Sequence, residues 1–333
     1  MLSLAVTIGL LAWALRGVDL RAVLDHVRQA RPGWLLAAVA VATLTFPLRA
    51  VRWAVILRDG TGRRLPLGPL WHATAVGFMA NNLLPARAGE IARAYLARRQ
   101  LPVRFTTAVA SIAVERALDG LTLVGLMVVA LAAPSFRPAA RVGGASLSQL
   151  AAGAAVLFGG ALVLALVVVL RPAPWLALAT RVFHRLLPAR LAGRLEHAAE
   201  GLVAGLEVLK APRRLLEVAA WSLVLWLVNA ASFWICFRAF DLSLPVSAAL
   251  LLQGLIAIGI AIPAAPGFFG VFEAVTRETL ALYGVAADQA VGYAVAYHLA
   301  TFVPITLLGL QSLSRLHVRL GELRATGAVT PAG

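Results

Sequence analysis

The sequence predicts an all-α integral membrane protein of six transmembrane helices and two re-entrant helical hairpins, arranged as an inverted repeat. Three observations predict it: an apolar composition, basic residues gathered in certain loops, and a set of landmarks that recurs in order. Of 333 residues, 61% are hydrophobic and only 14% charged, with a mean hydropathy of +0.85. Soluble domains run near half apolar and about a quarter charged. A soluble helical core of this composition lacks the polar surface to face water, so that class is set aside.

Apolar segments fall at 2–15, 34–57, 66–85, 105–133, 149–170, 215–238, 245–263 and 288–311. Several reach the roughly 20 residues that cross a hydrocarbon core of about 30 Å. The first, ending at Leu15, has no basic leader and no small-residue cleavage motif, so it is expected to stay as a helix. Next come Arg16, Arg21, Arg28 and Arg31, partly offset by Asp19 and Asp25; this stretch suits an interfacial amphipathic helix.

The formal charge is 30 − 15 = +15, and Lys210 is the single lysine. A basic chain can serve nucleic acid, but these arginines flank apolar spans, so nucleic acid is not expected as a partner. The positive-inside rule explains them better, with attraction to anionic headgroups as a second effect. It places 58–64, 98–104, 171–214 and the tail with Arg315, Arg319 and Arg324 in the cytoplasm. Segments 239–247 and 283–290 carry few or no cations and read as external. Both termini are then cytoplasmic, in a multi-pass protein of the cell (inner) membrane.

That topology forces two hairpins. The chain is inside at 58–64 and again at 98–104, so 66–98 must enter and return. Pro85 and Gly89 mark its turn, since Pro removes a donor and Gly permits a tight bend. By the same argument 245–282 enters from outside. It turns at Pro263-Ala264-Ala265-Pro266-Gly267, with Gly270 just beyond.

The hairpins belong to a duplication. Pro66 precedes Pro85 by 19 residues and Pro245 precedes Pro263 by 18. Glu90 follows the first turn and Glu273 the second; Arg93 and Arg277 come three and four residues later. Arg116 lies 26 residues after Glu90, and His298 lies 25 after Glu273. Trp53 and Trp234 precede their prolines by 13 and 11. The expected organisation is a single membrane domain, 1–333. Repeat one is 34–133, a connecting span and basic cytoplasmic loop is 134–214, repeat two is 215–313 and inverted, and a cytoplasmic tail is 314–333. Inverted repeats with broken helices are a common transporter design, with the site near the midplane.

Ionisable groups inside spans are costly and tend to mark function. Glu115, Arg116 and Asp119 lie in the 105–133 span, Glu115 about 15 Å from its start at 1.5 Å per residue. Glu115 and Asp119 share a helix face at i, i+4. Arg116 can neutralise one of them or reach Glu90. Glu90 and Glu273 open the returning half-helices, where the helix dipole favours a carboxylate. There they either serve transport or simply cap, paired with Arg93 and Arg277. Asn81 and Asn82 precede the first turn and suit the carbonyls that a break frees. Arg87, at the turn itself, is placed to receive an anion beside unpaired amides. Arg49 and Arg52 sit near the end of the 34–57 span, where snorkelling to the surface is the expected fate. His72 is alone in an apolar helix and reads as a packed or hydrogen-bonded residue.

Cys236 is the single cysteine, so no internal disulfide or thiolate metal site forms. No GxSxG, HExxH, P-loop or GxGxxG motif occurs at a strand-to-helix junction, and no acidic pair at a loop suits Mg²⁺. Neither an enzyme nor a cofactor or metal is expected.

Four motifs together, ArgAlaValArgTrp at 49–53, AsnAsnLeuLeuProAlaArgAlaGlyGlu at 81–90, GluArgAlaLeuAsp at 115–119 and ProAlaAlaProGlyPhePheGlyValPheGlu at 263–273, resemble the flippase-like family of the lysylphosphatidylglycerol synthase transmembrane region. That family includes stand-alone uncharacterised and hopanoid-associated inner-membrane proteins. The resemblance covers about 34–313. These 333 residues hold no match to the soluble aminoacyltransferase domain of the full synthases, so lysyl-lipid synthesis is not expected of them. The chain departs from the family pattern at His298, where many members carry Arg.

The resemblance implies movement of an anionic lipid or lipid-linked headgroup between leaflets. Arg87 and Arg116 would bind the phosphate, with Glu90, Glu115 and Asp119 holding the arginines or carrying a proton. The expected partner is a membrane lipid, phospholipid-like and anionic, with a second copy or a lipid synthase as further candidates. The alternatives are an integral membrane lipid-modifying enzyme using Glu115 or Asp119 as base, and a partner subunit of a lipid synthase.

Overall fold

The computed structural model describes residues 2–84, 88–133, 141–142, 145–260, 265–318 and 321–322. They are almost wholly α-helical; a two-residue antiparallel pair, Arg141–Val142 with Ala145–Ser146, is the small exception. Four helices are long and apolar enough to cross a membrane: α3 (Pro32–Ile56), α7 (Leu147–Leu170), α10 (Pro212–Ala239) and α13 (Ala287–Arg315). A fifth, α6 (Phe105–Leu131), has 27 residues and carries the three ionisable groups of the 115–119 motif. These helices match the apolar segments to within a few residues. Leu36, Leu44, Val129, Val156, Leu157 and Leu164 point outward, each more than half exposed. In water such surfaces drive association, and in hydrocarbon they do not.

The N-terminal apolar segment is α1 (Leu2–Ala14), only 13 residues long. It is too short to span on its own. The stretch after it is indeed a separate amphipathic helix, α2 (Leu20–Gln29), capped by Asp19 accepting from the Arg21 amide at 2.8 Å. It packs along α13, with His26 and Val23 against Gly292.

Both segments expected to turn back are broken. α4 (Leu67–Leu83) ends one residue before Leu84, which is extended at φ −116°, ψ 146°. A residue ahead of proline is pushed out of the helical region, and Pro85 follows. α5 (Ala88–Gln100) then packs against α4. The crossing is so tight that a Cβ on Gly89 would lie 1.9 Å from the Gly77 carbonyl oxygen. In the second segment α11 (Val246–Gly259) and α12 (Val271–Ala281) pack side by side. Gly267 and Gly270, at φ 75° and 84°, make the bend that other residues resist. Pro85, Ala86 and Arg87 lie outside the described residues, as does Pro263.

The basic connector expected as a loop is largely helical. It forms α8 (Pro172–Leu186), α9 (Ala189–Gly205) and a 3₁₀ turn, Glu207–Lys210. α9 rests on the start of α6, where Gly201 and Gly205 meet Thr106, Thr107 and Ala110. Apolar residues recurring at helical spacing among the arginines give α8 and α9 one face to bury. Loop 58–64 is ordered by Asp59, whose carboxylate accepts from the Thr61 hydroxyl and from the Thr61 and Arg63 amides. The Thr61 hydroxyl bond comes first in holding that carboxyl below its ordinary range.

The packing has a regular plan. α3 lies against α10 in antiparallel fashion: the Arg31 amide donates to Ala239 at one end, and Arg214 donates to Val55 and Ile56 at the other. α4 packs on α13, and α11 packs on α6. α5 packs on α6, and α12 on α13. Two cores result. One joins α11 and α12 to the first half of α13 and the second half of α10. The other joins α4 and α5 to the first half of α6 and the end of α3.

Candidate functional site

The buried charges gather where α3, α5, α6 and α10 meet. Glu115 is fully buried and receives Arg93 through both terminal nitrogens, at 2.9 Å each. Arg116 reaches the same carboxylate at 2.5 Å and Asp119 at 3.3 Å. Arg52, also fully buried, grips Asp119 with its fork and lies 3.2 Å from Glu115. Two groups on α10 complete the network: Ser222 accepts from Arg52 at 2.8 Å, and the Trp226 indole donates to Asp119 at 2.8 Å. Planar guanidinium forks suit such bidentate pairing, and unpaired charges here would cost several kcal/mol each, of order 3–5.

Why these residues meet follows from the helices. Glu115 and Asp119 are one turn apart on α6 and face inward. Arg49 and Arg52 are three apart on α3, one face presented to α6 and α10. Arg93 projects from the second turn of α5 and lies over the Trp53 ring, 3.8 Å from its centroid. Trp53 is fixed in turn by its indole donating to Ser111 at 2.9 Å.

Of the residues singled out from sequence, Arg93, Glu115, Arg116 and Asp119 are together. Glu90 joins at the edge, 3.9 Å from Arg116, and both are one-third exposed. Arg93 bonds Glu115 rather than Glu90. The snorkelling expected of Arg49 and Arg52 is overturned: they are 6% and 0% exposed and turn into the protein. Helix α10 supplies the polar and aromatic partners that make burial cheaper than reaching the surface. The signal available was the motif ArgAlaValArgTrp itself, two arginines and a tryptophan on one face.

Arg49 differs from its neighbours. Its guanidinium sits 4.8 Å from the Phe78 ring centroid and 5.2 Å from that of Trp226. The nearest carboxylate oxygen, on Asp119, is 4.0 Å away. Its Nε and Nη1 are buried and find no hydrogen-bond partner among the described residues. Among the described residues, four arginines (49, 52, 93, 116) thus face three carboxylates (90, 115, 119), leaving one positive charge in excess.

Among the described residues the asparagines bond a donor and a neighbouring helix. Asn81 accepts from the Gly89 amide at 2.9 Å, capping α5, and Asn82 donates to Thr306 on α13 at 3.2 Å. His72 is hydrogen-bonded, 3.1 Å from Ser312.

At the second break Glu273 accepts from the Gly270 amide at 2.6 Å. Its other oxygen lies 2.7 Å from His298 Nδ1, while His298 Nε2 lies 2.9 Å from the Gly267 carbonyl oxygen. Pro266 and Gly267 form the 3₁₀ turn beside it. Phe269 and Phe272 pack on the imidazole, at 4.6 and 4.5 Å between centroids. Arg277 does not pair with Glu273. It donates to the carbonyls of Trp13 and Ala14 at 2.6 and 3.0 Å, capping the end of α1.

The chain is similar to known proteins. A glycosyltransferase, AglD, of Haloferax volcanii is 34% identical over 129 residues, 39% of this chain but only 20% of that protein's length. A UPF0104 membrane protein of Methanothermobacter thermautotrophicus is 25% identical over 311 residues, 87% of each chain. The family model described as the lysylphosphatidylglycerol synthase TM region matches residues 1–309. The chain is a multi-helix membrane protein and belongs to the family of the lysylphosphatidylglycerol synthase transmembrane region.

Proposed function

We propose that the protein is a flippase-like transporter that moves an anionic lipid or lipid-linked headgroup between leaflets. One observation carries this reading: among the described residues the buried cluster is net positive, and two nitrogens of Arg49 have no hydrogen-bond partner there. A phosphate entering there completes the charge balance and the hydrogen bonds at once. Arg116 and Glu90, at the partly open edge, form the entrance; the tails stay in lipid. Arg93 and Arg52 lock Glu115 and Asp119 in place. Arg87 lies outside the described residues, and its place in the turn keeps it a candidate second contact.

The inverted repeat is part of this proposal. The order long helix, arm, arm, long helix occurs at α3–α6 and again at α10–α13. Exchanging the two sets maps each packing pair onto another, α4 on α13 onto α11 on α6. The antiparallel contact of α3 with α10 supports a two-fold axis in the membrane plane. The four arms have 17, 13, 14 and 11 residues, each short of a full crossing. That supports re-entrant hairpins at 66–98 and 245–282 beside five helices of spanning length; the sixth span of this proposal is α1, which at 13 residues crosses only where the bilayer thins or another element completes it. With cytoplasmic termini, Ala286→Cys is labelled from outside in intact cells and Leu195→Cys is not; the reverse pattern overturns the orientation.

The functional test is Arg49→Gln in proteoliposomes. It keeps polarity and removes the excess charge. Expected is unchanged thermal stability with headgroup movement reduced about tenfold, the loss of roughly 1.4 kcal/mol from one charge-assisted contact. Normal movement in this variant removes Arg49 from the site. A second reading, a partner subunit of a lipid synthase, draws on the relative named glycosyltransferase, in which the shared part is a fraction of a longer protein. A stable co-purifying synthase, without lipid movement by the pure protein, favours it.

A further inference from the structure

We infer that Glu273 and His298 form a proton-binding site, and that the proton is the ion coupled to headgroup movement. The coupling rests on the transport reading above; the proton site does not. Its basis is an inventory of hydrogens. A neutral imidazole has one N–H, so one nitrogen donates and the other accepts. Here both nitrogens face acceptors: the Glu273 carboxylate at 2.7 Å and the Gly267 carbonyl at 2.9 Å. The carbonyl requires the hydrogen on Nε2. Nδ1 then meets the carboxylate lone pair to lone pair unless one more proton lies between them. That proton sits either on Nδ1, making an imidazolium–carboxylate pair, or on Glu273, whose hydroxyl then donates to Nδ1. In both forms the pair holds one proton that it can release to water.

The pair is also tied to a bend. Gly267 and Gly270 have positive φ, and so does Phe268, at 61°, where a bulky side chain is strained. The carbonyl of Gly267 and the amide of Gly270 are the groups that His298 and Glu273 hold. The amide of Ala265 is held from α1, by Thr7 at 2.8 Å. Loss of the proton puts two lone pairs 2.7 Å apart, which drives the ring and carboxylate to separate and releases the turn from one of its anchors. Protonation and the shape of the α11–α12 break are therefore linked.

Among the described residues, no further charged side chain is in contact with the pair. Helices α1 and α11 carry no ionisable side chain, and α4 carries His72, bonded to Ser312. On α12, Arg277 is turned to the α1 carbonyls with Glu278 3.9 Å from it. From α2, His26 packs at Gly292; from α3, Arg49 and Arg52 are turned to Asp119 in the other cluster. The charges of α10 lie at its two ends, as do Asp288 and Arg315 of α13. His298 and Glu273 are 8% and 4% exposed, so the pair lies within the protein beside the Gly267–Gly270 bend.

The test compares headgroup movement in proteoliposomes with and without an imposed pH gradient. One pH unit biases a one-proton step about tenfold. The wild-type ratio of rates should approach that value, and His298→Arg, with a charge that cannot leave, should show a ratio of one. An equal ratio in both proteins, whether large or one, overturns the coupling. Infrared difference spectroscopy across pH tests the proton site without any transport. Carboxyl and imidazole bands that titrate in the wild type and vanish in both Glu273→Gln and His298→Gln support it. Their absence in the wild type, or their persistence in the variants, overturns the site. Failure of all lipid movement sinks the transport reading and the coupling with it, while the infrared result still decides whether the pair binds a proton.

Discussion

The two broken helices place a carboxylate at the same point and treat it differently. Glu90 and Glu273 each open a returning arm, and each meets a base at the twelfth position of a long helix, Arg116 on α6 and His298 on α13. At the first break the base has a permanent charge and belongs to a cluster of arginines. At the second it is an imidazole between aromatic rings, without a further cation in contact among the described residues. A guanidinium holds its proton at any physiological pH, whereas an imidazole does not. The first region thus sets a permanent cation against its carboxylate, whereas the second sets an imidazole there, the group on which the proposed proton site rests.

The arginine that follows each glutamate sharpens this contrast. Arg93 is 3% exposed on its side chain and bidentate to Glu115, while Arg277 is 20% exposed and caps α1. If the first break is an electrostatic unit, Arg93→Gln leaves Glu115 short of a buried partner. The expected loss is about 3–5 kcal/mol of stability, seen as a large fall in thermal unfolding temperature in detergent. Stability close to wild type would mean that Arg52 and Arg116 alone satisfy Glu115, and that the cluster is not a unit. Arg277→Gln should cost less, about 1–2 kcal/mol for charge-assisted bonds to two carbonyls. Its effect should appear as faster amide exchange at the end of α1, with α12 unchanged. An equal loss from both variants would erase the difference between the two arginines.

The membrane class, the long apolar helices and the two breaks were legible from the residues alone. Apolar runs, loop charge and Pro/Gly turns are local features that no packing can hide. The sequence also picked out Glu115, Arg116 and Asp119, because charges stand out inside an apolar run. Arg49 and Arg52 did not stand out, since an arginine near a helix end is equally suited to snorkelling. Only tertiary structure decided their direction: α10, some 170 residues away from Arg52, brings Ser222 to it and Trp226 to Asp119. The partners of Arg93 and Arg277 were decided in the same way. Equivalent spacing in sequence fixes which face of a helix a side chain occupies. What stands opposite that face is set by chain packing, and for Arg93 that was Glu115, for Arg277 the open carbonyls of a helix too short to span.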